Sequence, residues 1–137
     1  MAAQPRSAMA LASLLAGAGV THFARPGPYD SIVPRVLPGQ PRMWTYVSGA
    51  AEVAVAAAII HPRTRRQGGL AAAALFAAVF PANVQMAADW RSRPVAQRVV
   101  AYGRLPLQAP LIWWALKVAA GGAGPRPDPD RAGTGTR

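Results

Sequence analysis

Five polar side chains stand where the chain otherwise offers almost none: His22, Glu52, Asn83, Arg104 and Gln108. As chemistry they form a short but usable set. A histidine or a carboxylic acid can hold or pass a proton when its surroundings bring it near neutrality. An arginine keeps its charge and donates to a carbonyl or an anion. Asparagine and glutamine orient a ligand without titrating. Glu52 follows Ser48 by four residues, so on a helix the two share a face, and Gln108 follows Arg104 in the same way. The same residues could also do no more than hold helices together. Glu52 could make an inter-helix hydrogen bond, and Asn83 could plug the kink at Pro81, which leaves the Ala77 carbonyl without its donor.

Much other chemistry is excluded. The 137 residues contain no cysteine, two histidines and five acids. Disulfides, thiolate nucleophiles, iron–sulfur clusters and thiolate zinc sites are therefore absent, and few ligands remain for a metal cage. No GxSxG, HExxH, Walker loop or GxGxxG occurs. No catalytic residue and no metal site is assigned, and independent catalysis is not expected.

The elements that must position the five residues follow from where charge is missing. No ionisable residue lies between Ser7 and Thr21 or between Gln67 and Ala88. Between Met43 and Ile60 the one charge is Glu52, and between Leu105 and Gly124 it is Lys117. A helix at a water boundary shows a polar residue every three or four positions, and these stretches do not. About 20 mostly apolar residues suffice to cross a bilayer. The predicted spans are 7–23, 43–60, 68–88 and 105–120. The fold class expected is all-α, an integral membrane four-helix bundle with a proline-rich outer loop between its first two helices. A soluble alanine-rich helical protein is the alternative. A second alternative is a signal peptide cleaved after Ala16-Gly17-Ala18, but the apolar run continues through Val20 and Phe23 and reads as an uncleaved span.

The net charge of +10 and pI of 11.8 would suggest nucleic acid, yet only 15% of residues are charged, against about 25% in soluble domains. The basic residues lie between and after the spans, not along one helix face, and no nucleic-acid-reading motif is present, so no nucleic-acid partner is expected. They bear on orientation instead. Arg63, Arg65 and Arg66 crowd one short loop, which predicts that this loop and both termini are cytoplasmic in the cell membrane. On that topology His22, Asn83, Arg104 and Gln108 fall toward the outer side, with Glu52 at mid-span. A charge at that depth costs on the order of 3 kcal/mol unless partnered, which by default marks a functional site. Residues 22–42 carry five prolines and predict a compact interfacial cap, with Tyr29 and Trp44 in the aromatic belt. Residues 1–120 form the membrane domain on this reading. The tail 121–137 has almost no apolar residue and is expected to be disordered.

The chain resembles the DoxX-like family of small four-span membrane proteins. The likeness is carried by Gly19-Val20-Thr21-His22-Phe23 with Pro26, Ile32-Val33-Pro34 with Leu37-Pro38, and Ser48-Gly49 with Glu52. It continues through Pro62 with Thr64-Arg65-Arg66, Val79-Phe80-Pro81-Ala82-Asn83 with Met86, and Arg104-Leu105-Pro106-Leu107-Gln108. It covers residues 8–118. The resemblance implies a four-helix membrane fold and association with membrane redox assemblies, for which a cysteine-free chain would supply an anchor or a quinone pocket. The function expected is therefore a membrane subunit, or a small-molecule binder with its polar site toward the outer end, lined by His22, Glu52, Asn83, Arg104 and Gln108. No cofactor is identified, and a quinone is the ligand suggested. The partners expected are the lipid bilayer, a membrane or soluble redox protein, and a second copy of the chain. The alternatives are a scaffold that anchors partners without a ligand, and a small proton-coupled transporter built on Glu52.

Overall fold

Ala8, Leu11, Ala12 and Leu15 recur at the spacing of one helix face, and all four are at most 2% exposed. They are the inward stripe of the first of five helices. The computed structural model describes residues 3–122, and the described part is all-α. The helices are α1 (Ala3–Ala24), α2 (Pro26–Asp30), α3 (Pro41–Ile60), α4 (Arg65–Asp89) and α5 (Val95–Gly121). Nearly all of the predicted tail lies outside the described residues.

Local chemistry sets the ends of these helices. Gly39 takes a left-handed φ of +85°, which turns the chain ahead of α3. Pro41 then occupies the first helical turn, where its missing N–H costs nothing. α3 stops at Ile60 because His61 precedes Pro62 and adopts an extended conformation. The Thr64 hydroxyl donates back to the Ala58 carbonyl at 2.8 Å, closing the tight turn into α4.

Three helices are long and apolar enough to cross a membrane: α1 over Pro5–Ala24, α3 over Pro41–Ile60 and α4 over Arg65–Asp89. Only 33, 28 and 28% of these stretches are buried inside the protein, so most of their apolar surface must meet another apolar medium. Val20, Val53, Leu70 and Phe80 all point outward. α5 is longer than expected and less apolar. It begins at Val95 rather than at 105 and carries Arg98 and Arg104, and it does not join the other three. Pro106 and Pro110, expected at a helix start, stand inside it. They leave the carbonyls of Tyr102 and Pro106 without their helical donors.

The long helices pack as antiparallel neighbours, α1 on α3, α3 on α4 and α4 on α5. Glycines set how closely they approach. A Cβ on Gly19 would lie 2.8 Å from the Gly49 carbonyl oxygen, and one on Gly69 would lie 2.6 Å from the Ala119 nitrogen. Small residues at crossings of this kind are a device of membrane helices, whose association depends on close packing and polar contacts. The main core lies toward the α3–α4 turn, where Leu11, Leu15, Ile59, Ala72, Ala115 and Val118 meet. There Trp114 Nε1 donates to Ser7 Oγ at 2.8 Å, tying α5 to α1. A second, small core of Met86, Ala87 and Ala101 lies at the other end. The buried polar side chains His22, Thr45, Glu52, Asn83 and Gln108 stand between the two.

Candidate functional site

The α1–α3 crossing builds the centre of the site. With no side chain on Gly19 or Gly49, the two backbones close up and His22 comes over Gly49. The Nδ1 atom of His22 lies 3.3 Å from Oε2 of Glu52. It also lies 2.8 Å from the Ala18 carbonyl oxygen, one turn earlier on α1. A carbonyl can only accept, so Nδ1 carries the proton and donates it to Ala18. Glu52 Oε2 is buried beside His22 without a hydrogen-bond partner among the described residues.

Tyr29 of α2 covers the imidazole, with ring centroids 3.8 Å apart and planes 23° from parallel. Its hydroxyl lies 2.6 Å from Thr21 Oγ1, which itself donates to the Ala18 carbonyl. The Tyr29 hydroxyl is therefore the donor of the pair. Short as it is, α2 fixes one side of the histidine.

A cavity of about 380 Å³ opens beside this group, between α3, α4 and the segment that follows α2. His22, Glu52, Asn83 and Arg104 all line it, the first three from predicted spans and Arg104 from inside α5, one residue before the predicted start of the fourth span. Ser48 lines it with Glu52, as their four-residue spacing predicts. The walls are otherwise mostly apolar, including Val33, Leu37, Leu75 and Val79. Tyr29 and Trp44, expected in an aromatic belt, also line the cavity.

The fifth residue, Gln108, is buried but does not line the cavity. It works from behind. Asn83 Nδ2 donates to Gln108 Oε1 at 3.2 Å, and Gln108 Nε2 donates to the Phe76 carbonyl. These bonds join α4 to α5. They leave Asn83 with its carbonyl oxygen free of them, and Arg104 as the cavity's permanent cation.

Several residues that shape the site escape sequence reasoning. Thr45 is buried and donates to Asp30 Oδ1 at 2.6 Å, while Arg42 Nε meets Oδ2 at 2.8 Å. The Thr45 hydrogen bond, joined by that of Arg42, holds the Asp30 carboxyl below its usual range against a smaller opposing effect of burial. Gln85 acts as a clamp from α4. Its Oε1 accepts from the Arg35 backbone N–H and its Nε2 donates to the Val33 carbonyl, both at 3.3 Å. Arg35 also pairs with Asp89 at 3.2 Å. Residues 31–40 thus form a strap held to α4 at Val33 and Arg35 and to α3 at both ends, through Asp30 and through Trp44 Nε1, which donates to the Pro38 carbonyl at 2.7 Å, with Val33, Pro34 and Leu37 against the cavity. The five prolines signal a compact segment, but nothing local in Gln85 or Asp30 announces a partner fifty or fifteen residues away.

Among the described residues, no three His, Asp or Glu side chains come close enough to hold a metal ion. The arrangement can bind a small, largely apolar molecule, with a carboxyl and a guanidinium to meet its polar atoms.

Comparison with known proteins bears on family and not on activity. No curated protein and no solved structure matches the chain. A family model described as a domain of unknown function, DUF8561, matches residues 11–119. That stretch contains α3, α4, most of α1 and α5, the strap and all five polar residues, and the chain belongs to the DUF8561 family.

Proposed function

We propose that the chain is a multi-pass protein of the cell membrane in which α1, α3, α4 and α5 form a four-span bundle, and that it binds a small lipophilic molecule in the cavity beside Glu52. The observation that carries this reading is the cavity itself, apolar over most of its wall, with Glu52, His22 and Arg104 on it. Ionisable groups at membrane depth are costly and tend to mark sites of function. The likeness to the DoxX-like family favours a quinone as ligand and a redox assembly as context. On this reading the chain is an anchor or binding subunit, and electron transfer belongs to a partner. The strap and the α2 end face outward, and the three arginines of the α3–α4 turn face the cytoplasm.

The test is purification of the tagged protein from native membranes in mild detergent, with bound lipids, quinones and proteins analysed together. A bound lipophile is expected in the unaltered protein and its loss in Glu52→Leu and Arg104→Ala, provided both variants insert and stay folded. Retention of the same molecule by both would assign these two residues to packing. A stoichiometric protein partner with no lipophile would favour the scaffold reading. Asn83 Nδ2 already donates to Gln108 Oε1 across α4 and α5, a bond that joins these helices.

A further inference from the structure

Glu52 is nine-tenths buried, lines the cavity, and has Oε2 without a hydrogen-bond partner among the described residues. Three of its neighbours are committed elsewhere. The proton on His22 Nδ1 goes to the Ala18 carbonyl, and the Asn83 amide N–H goes to Gln108. The Thr45 hydroxyl, also on the cavity wall, goes to Asp30. The Ser48 hydroxyl and the Arg104 guanidinium line the same cavity, yet neither hydrogen-bonds to Oε2, so the carboxyl is free to accept a further donor. An acceptor left unpaired in an apolar surround is unfavourable, and a ligand that brings a donor relieves it. Arg104 presents the opposite need, because a guanidinium only donates. A hydroxyl can both donate and accept. A head with carbonyl or ether oxygens alone could satisfy Arg104 but would leave Glu52 without a donor. The aromatic rings of Tyr29 and Trp44 and the apolar walls suit a flat ring with a hydrocarbon tail.

We infer that the cavity selects a neutral aromatic hydroxyl compound, a phenol-type head on a lipophilic body, with the hydroxyl donating to the Glu52 carboxyl. This rests on the ligand-binding reading above and names the chemical class of its ligand. Applied to quinones, the reduced, hydroxyl-bearing form is the one the site prefers.

The full chain in detergent micelles can be tested by equilibrium dialysis against 4-butylphenol and its methyl ether, with uptake by protein-free micelles subtracted. The two probes share ring and tail, but only the phenol has a donor. The expected result is at least tenfold tighter binding of the phenol. In Glu52→Leu the preference should disappear while the methyl ether still binds, and thermal unfolding in the same micelles would show that the variant is folded. If Glu52→Leu does not fold, Glu52→Gln replaces it; its amide keeps one acceptor oxygen and should reduce the preference to a few-fold. Equal binding of both probes by the unaltered protein would overturn the donor rule and leave the ligand-binding reading standing. Binding of neither would overturn both. A phenol preference that survives in folded Glu52→Leu would also overturn the assignment, since the donor would then be read elsewhere.

Discussion

At the scale of single residues, two kinds of polar group share one region and should respond differently to substitution. Asn83 and Gln108 pair across a helix interface, and Gln108 also donates to the Phe76 carbonyl. Replacing Gln108 by Leu leaves the buried Asn83 amide N–H without its partner, for an expected loss of about 1–3 kcal/mol of stability. The double replacement of Asn83 and Gln108 by Leu should lose less than the sum of the two single changes, because the pair then leaves no unmatched amide within itself. Denaturant unfolding in a fixed detergent measures both. Asp30 lies outside the membrane-spanning helices and makes a pH-dependent contact. Its pKa is lower in the folded protein than in the unfolded chain, so its ionised form favours the native strap. That contribution is complete above the ordinary aspartate value of about 3.9. It is lost as pH falls through the lowered folded value. Proteolytic cleavage within residues 31–40 should accelerate on acidification below pH ~4, and Asp30→Asn should cleave faster at neutral pH and lose that acid response. Pepsin, corrected for its own pH profile, measures the acid arm, and proteinase K the neutral one.

At the scale of helices, glycine sets how near two backbones come and thereby which side chains meet. The Gly19–Gly49 crossing brings His22 over α3 and toward Glu52. A Cβ on Gly49 would lie 2.7 Å from the His22 Cβ and 2.9 Å from the Gly19 carbonyl oxygen, so even Ala forces the helices apart. Gly49→Ala should destabilise by about 1–3 kcal/mol, as overpacking does. It should also widen the His22–Glu52 contact, so ligand binding falls along with stability. Gly69→Ala meets backbone at 2.6 Å, but at the α4–α5 crossing far from the cavity. It should cost comparable stability and leave ligand affinity close to that of the unaltered protein. Comparing the two variants in unfolding and dialysis separates packing from site geometry.

At the scale of the whole molecule, the tight contacts lie toward the α3–α4 turn and the cavity toward the opposite end. The main core and the Trp114–Ser7 bond close one end. The polar residues and the strap occupy the other, with a smaller core beyond them. A protein with three helices of membrane-crossing length and outward apolar faces should resist alkaline carbonate extraction and dissolve in detergent. Under the proposed four-span topology, a reporter fused after Arg137 should be active in the cytoplasm, and one inserted at Gly39 should be active outside. The reverse pattern would invert the orientation and put the cavity on the cytoplasmic side.

The long uncharged runs determine by themselves that the described chain is helical and where α1, α3 and α4 lie, because hydrophobic length is a local property. They also make His22, Glu52, Asn83 and Arg104 conspicuous, since polar groups are scarce among apolar neighbours. The start of α5 is less legible, because Pro106 and Pro110 read locally as a helix beginning while packing against α4 carries the helix back to Val95. Tertiary structure alone decides the rest. It turns Gln108 away from the cavity toward Asn83, lays Tyr29 on His22, and uses Gln85 to fasten the strap. These are contacts between residues 7 to 52 positions apart in sequence. Residue type says what each group can bond to. Only the crossing of the helices, set by the space at Gly19 and Gly49, says which group it finds.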